Sequence, residues 1–155
     1  MPMKKRVWEL MDETLFTISQ DASVADAIHR FTEMENKHAQ CSALIAVDSN
    51  DAYRGLITPK QVLKRVKAAF DDSCQEGEVR LLDRFTHRCS LESRKPLSEI
   101  MLQNVDVAPS ASLLDAFNKL MEDDLQVLPV VEGRKPIGIL SIDSLFRVVR
   151  EMVRG

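Results

Sequence analysis

The sequence predicts an α/β (α+β) fold: two pseudo-symmetric β-α-β-β-α repeats packed sheet to sheet. Three observations predict it. Two segments, opening with Trp8-Glu9-Leu10-Met11 and Ser98-Glu99-Ile100-Met101, run through the same series of signals. Each carries Ser-x-x-Asp (Ser23 and Asp26, Ser112 and Asp115) ahead of an apolar stripe, the mark of a helix N-terminus. Each then has a short apolar run followed by a glycine-led one. The offset between the halves is 90 at Met11/Met101, 89 at Asp26/Asp115, 84 at Val47/Val131 and 83 at Gly55/Gly138. Order is therefore kept, with small insertions in the first repeat, the largest around residues 33–40.

The elements follow in order. Short extended stretches at 15–19 and 104–108 precede the capping signals. The first helices bear stripes Val24, Ala27, Ile28, Phe31, Met34 and Leu113, Ala116, Phe117, Leu120, Met121, at the i, i+3, i+4, i+7 spacing of a one-faced helix. Ala43-Leu44-Ile45-Ala46-Val47 and Val127-Leu128-Pro129-Val130-Val131 read as buried strands, each closed by an acid, Asp48 and Glu132. Polar turns lead into Gly55-Leu56-Ile57-Thr58 and Gly138-Ile139-Leu140-Ser141. Final helices carry Val62, Leu63, Val66, Ala69, Phe70 and Leu145, Phe146, Val149, Met152, Val153. The division is 1–66 for the first repeat with its N-terminal segment, 67–95 for a helical connecting segment with Val79, Leu82 and Phe85 as its apolar set, and 96–155 for the second repeat. Neither repeat is large enough to be comfortable alone, so the pair is the unit. Trp8 is expected to anchor the N-terminal segment in the core of its own repeat, the alternative being a partner surface, and Met34 and Met121 are expected to fill the core.

Composition narrows the function. The chain has 155 residues with 21 Lys+Arg against 24 Asp+Glu, a net charge of −3, and only 5% aromatics. That balance opposes a nucleic-acid binder, which needs a basic field and stacking platforms. Three cysteines without a Cys-x-x-Cys pair point to a reduced, cytoplasmic setting. Glu9, Asp12 and Glu13 interrupt what could have been a signal peptide, and no apolar run approaches a membrane span. Cys74, His87 and Cys89 lack the spacing of a zinc module. His29 is expected to face solvent or a rim, and His38 to lie in a loop. No nucleophile elbow, phosphate loop or His-Glu-x-x-His is present, so neither catalytic nor metal residues are assigned.

These residues carry a resemblance. The unit resembles a CBS domain and the chain a CBS-domain pair, or Bateman module, over about residues 4–66 and 95–153. The most diagnostic stretches are Val107-Ala108-Pro109, Ser112-Leu113-Leu114-Asp115-Ala116, Leu128-Pro129-Val130-Val131-Glu132 and Gly138-Ile139-Leu140-Ser141. The resemblance implies a non-catalytic regulatory module that binds an adenosine compound in clefts between the repeats, requires no cofactor, and forms a homodimer. AMP, ADP, ATP and S-adenosylmethionine are the ligands it implies, with a regulated partner protein as the output. By the family's pattern one site combines Thr17, Ala22, Cys41 and Ser42 with Ser141. A second combines Asp106, Leu125 and Gln126 with Thr58. The family's ribose-binding Asp falls at Ser144 in one and Gln61 in the other, while Asp143 stands one residue early. A neutral acceptor binds a hydroxyl less strongly than a carboxylate. The two missing acids keep open an alternative, a dimerisation or protein-interaction scaffold with a degenerate pocket. Lys60, Arg134 and Lys135 are either phosphate contacts or solvated turn charges. Ser42, Thr58 and Ser141 also suit simple capping roles.

Overall fold

The structure is a computed structural model that describes residues 5–37, 43–73 and 78–154. Within it, nothing is described of the side chains of 35–37, 69–73 and 78–85. His38, Cys41, Ser42 and Cys74 lie outside the described residues, and the side chains of Ala69, Phe70, Val79, Leu82 and Phe85 lie outside the described side chains.

In the first repeat, β1 (Thr17–Ser19), α1 (Val24–Lys37), β2 (Leu44–Val47), β3 (Tyr53–Ile57) and α2 (Pro59–Ser73) follow in order. Strand β2 lies parallel to β1 and antiparallel to β3. The Ser23 hydroxyl accepts the Asp26 N–H (3.1 Å) and the Asp26 carboxylate accepts the Ser23 N–H (3.0 Å), a complete capping box. Those Ser23 bonds, with His29 nearby, hold the Asp26 carboxyl below its ordinary range. The connecting segment continues α2 and then forms α3 (Glu78–Ser93). Arg65 of α2 ties α3 and the chain beyond it together, 3.5 Å from Glu92 and 3.0 Å from Glu99.

The second repeat holds α4 (Leu113–Glu122), β4 (Val127–Glu132), β5 (Lys135–Ser141) and α5 (Ile142–Arg154). Its expected first strand shrinks to one bridge, Val107 parallel to Val130. The Val107 N–H donates to Pro129 C=O (3.0 Å) and its C=O accepts from Val131 N–H (2.9 Å). Two features confine pairing to this residue. Pro129 has no N–H to give the Val105 C=O on the way in, and Pro109 has none to extend the ladder on the way out. The two sheets meet face to face, with Ile45 and Val47 of β2 against Ile139 of β5.

The segments that open the repeats cross over. A short 3-10 turn at Val7–Glu9 leads the first: Val7 N–H donates to Ala111 C=O (3.0 Å) and Asp12 pairs with Ile139, both in the second repeat. The matching turn at Leu97–Glu99 docks on the first repeat, with Leu97 N–H on Ala22 C=O (2.8 Å) and Leu102 paired with Leu56. Val7 is buried in the core of the second repeat, and Leu97 and Ile100 in that of the first. The expectation for Trp8 is therefore corrected twice. Its segment docks on the other repeat, and the indole is 57% exposed because the turn uses the neighbouring Val7 as its anchor.

The helical stripes are only partly covered. Val24, Ala27 and Met34 of α1, and Leu113, Ala116 and Leu120 of α4, are buried against the sheets. Ile28, Leu63, Phe117, Met121, Phe146, Val149, Met152 and Val153 are exposed, so Met121 does not fill the core. The apolar stripe of each helix is thus wider than the face it buries.

Candidate functional site

A cavity of about 280 Å³ opens where the repeats meet. Thr58, Gln61 and Lys64 bring it the N-terminal end of α2, and Leu125, Gln126 and Val127 bring it the start of β4. Its volume is near the lower end of small-molecule sites, about 300–1,000 Å³. Four residues of the second expected site, Thr58, Gln61, Leu125 and Gln126, thus share one cavity. Asp106 is not among its lining; its C=O instead accepts the Lys119 ammonium.

Gln61 is buried, and its Oε1 accepts both the Thr58 N–H (2.8 Å) and the Thr58 hydroxyl. The amide oxygen standing at the expected ribose position is thus engaged within the chain. This arrangement follows from the sequence Thr-Pro-x-Gln. A threonine just ahead of a proline-started helix, with Gln at the third helical position, is a capping arrangement. The equivalent pair in the second repeat behaves alike. Ser144 N–H donates to the Ser141 hydroxyl (3.2 Å), and the two hydroxyl oxygens lie 3.0 Å apart. The structure thus brings Ser141 and Ser144 together at the start of α5. On the other side of that first expected site, Thr17 is exposed opposite Ile45, and the Ala22 C=O is taken by Leu97. Cys41 and Ser42, which would complete it, lie outside the described residues.

Charge at the described cavity is mixed. Lys60 and Lys64 stand on one side and Asp123 and Asp124 on the other, with Lys60 Nζ 3.3 Å from the Asp124 carboxylate. Arg134 and Lys135 are exposed at the β4–β5 hairpin and do not line this cavity. Arg134 lies instead near Asp48, whose carboxyl is held below its ordinary range by the N–H groups of Ala52 and Asn50 and then by Arg54 and Arg134. The motif pattern does not place Lys64, Asp123 or Asp124 in the site. Lys64 is one helical turn beyond Lys60, a signal that was available. The two acids reach the cavity only because of how the chain turns after α4.

The described residues contain no group of three or more His, Cys, Asp or Glu that could hold a metal, and no helix long and apolar enough to cross a membrane. His29 and His87 are exposed, and Cys89 is a half-buried free thiol.

Comparison with protein families gives a match to the CBS domain twice, over residues 7–68 and 97–151. The chain belongs to the CBS-domain family. Its tandem CBS pair is also seen in solved structures. CBSX2 in complex with AMP is 23% identical, over 96% of this chain and 98% of that one, with a TM-score of 0.66. The CBS domain pair of protein MJ0100, in complex with 5′-methylthioadenosine and S-adenosyl-L-methionine, is 18% identical over 94% and 99%, with a TM-score of 0.66. The cytosolic domain of the Mg2+ channel MgtE in complex with ATP is 16% identical over 94% of this chain and 49% of that one, also at 0.66. Identities this low speak for the fold. A search of curated protein sequences returned no match. Within a CBS pair, the cavity between Thr58 and Leu125 is a cleft between repeats, where each repeat contributes one wall.

Proposed function

We propose that this CBS pair is a non-catalytic regulatory module that senses an adenosine compound in the cleft between its repeats and acts through a partner protein in the cytoplasm. The observation that carries the reading is the cavity itself, walled by both repeats and supplied with hydroxyl, amide and charged groups. A ligand held there touches α2 of one repeat and β4 of the other, so its binding favours one relative placement of the two. AMP, ADP, ATP and S-adenosylmethionine are the ligands to try, in keeping with the adenosine compounds bound by CBSX2, MJ0100 and MgtE. A ligand at a hundredfold its Kd adds about 2.7 kcal/mol to stability. For a chain of this length each kcal/mol raises Tm by about 2–4 °C. Thermal unfolding with each compound at millimolar concentration is expected to show a rise of that order for at least one, and no shift with any of them overturns the reading.

A homodimer belongs to the same proposal. Leu114, Phe117 and Met121 on α4, and Phe146, Val149 and Val153 on α5, form two exposed apolar rows on helices that pack together. A second copy is the occupant that would cover them. Sedimentation is expected to show a dimer at micromolar concentration. Val149→Glu, at an exposed site, is expected to give a monomer with an unchanged circular dichroism spectrum.

The scaffold reading is favoured by a different observation. Gln61 and Ser144 are already partnered, to Thr58 and Ser141. It predicts the same dimer with no response to any nucleotide.

A further inference from the structure

Asp124 occupies an unfavourable place. Its φ of 51 is left-handed, a conformation in which helices ordinarily end on glycine. It also follows Glu122 and Asp123 at the C-terminal end of α4, where the helix dipole disfavours negative charge. The turn does not use its side chain. Backbone bonds close it, from Asp123 N–H to Lys119 C=O (3.2 Å) and from Leu125 N–H to Leu120 C=O (2.9 Å). What the carboxylate does is cross the cleft to Lys60, at 3.3 Å. The two side chains are 58% and 86% exposed, and an ion pair that open adds little to stability. Folding therefore makes little use of this carboxylate, and its position on the cavity wall gives it another use.

We propose that Asp124 is a specificity-determining residue of the cleft: by sharing Lys60 it selects against tails carrying several negative charges and favours an adenosine compound whose tail is neutral or carries cationic groups beside a carboxylate. This rests on the sensing reading above. Two lysines and two aspartates leave the lining without net charge. A polyphosphate tail must draw Lys60 away from Asp124 and then lie beside two carboxylates. A neutral thioether displaces nothing. The tail of S-adenosylmethionine carries a sulfonium and an ammonium with one carboxylate, and so finds partners for both signs.

The test is calorimetric titration of the full chain with 5′-methylthioadenosine, S-adenosylmethionine, AMP and ATP, for the wild type and for Asp124→Asn. Asparagine tolerates the left-handed backbone, so the turn is kept. The wild type is expected to bind 5′-methylthioadenosine or S-adenosylmethionine at least threefold more tightly than ATP. Asp124→Asn is expected to raise ATP affinity about fivefold relative to 5′-methylthioadenosine, whose own affinity stays within twofold. A wild type that binds ATP most tightly, or an ATP to 5′-methylthioadenosine ratio that does not move in the variant, overturns the role of Asp124 and leaves the sensing reading standing. If none of the four compounds binds the wild type, the sensing reading itself fails and this inference falls with it.

Discussion

Gly55→Ala is expected to lower stability by about 1–3 kcal/mol in urea unfolding, the usual range for forcing atoms into a filled core. A Cβ on Gly55 would stand 2.8 Å from Met101 Cγ and 2.9 Å from the Leu102 carbonyl oxygen. The methionine can swing aside, but the carbonyl cannot. Leu102 and Leu56 exchange two backbone bonds of 2.9 Å each, so any retreat of that oxygen breaks the docking of its segment. Gly138→Ala is expected to cost less. Its nearest neighbour is the flexible end of Met11, with Sδ at 2.8 Å, and the Asp12 carbonyl oxygen lies slightly further off at 3.0 Å. Removing the methionine in the same chain separates the two contributions: Met101→Ala is expected to recover only part of the Gly55→Ala loss. Full recovery would show that the carbonyl contact does not matter.

The second large effect is expected at Tyr53. Repeat symmetry shows why. In the first repeat the Ile45 N–H donates to Phe16 C=O at 2.9 Å. The register that aligns Ile18 and Ala46 with Val107 and Val130 places Val105 where Phe16 stands and Pro129 where Ile45 stands. Proline has no N–H to give. The Val105 C=O is supplied instead by the hydroxyl of Tyr53, from the other repeat, at 2.9 Å. Tyr53→Phe leaves a buried carbonyl unpaired and is expected to cost about 1–3 kcal/mol. Pro129→Val restores an N–H, and in that background the same substitution is expected to cost markedly less. Equal costs in the two backgrounds would sink the idea.

Tyr53 also sets a pH limit. Burial, and then the nearby Asp106 charge, raise its pKa above the ordinary tyrosine value. Above about pH 10 the unfolded chain loses the phenolic proton while the folded chain keeps it. The folded state then binds more protons, so stability falls as pH rises, by up to about 1.4 kcal/mol per unit from this group. It is the only tyrosine, so phenolate absorbance follows it directly, and Tyr53→Phe is expected to remove this part of the alkaline loss.

The sequence made the repeated series legible, because caps, stripes and strands are local signals. The crossing of the opening segments was not legible. Met11 and Met101 match, as do Gly55 and Gly138, but a twofold pattern looks the same whether each methionine meets its own repeat's glycine or the other's. Only the structure shows that Met11 lies on Gly138 and Met101 on Gly55. Periodicity likewise marks Phe146 and Val149 as apolar without saying that they stay uncovered. At the cleft, Thr58 and Gln61 could be placed from their motif. Asp124 could not, because a left-handed turn brings it to Lys60, which lies in a distant stretch of chain.

The crossed opening segments have a consequence for inheritance. Half of this chain is expected not to fold as a monomer, since residues 97–102 complete the first repeat and residues 6–12 complete the second. A lesion in the first dozen residues is then felt in the last third of the sequence, and two severed halves could only fold by finding one another.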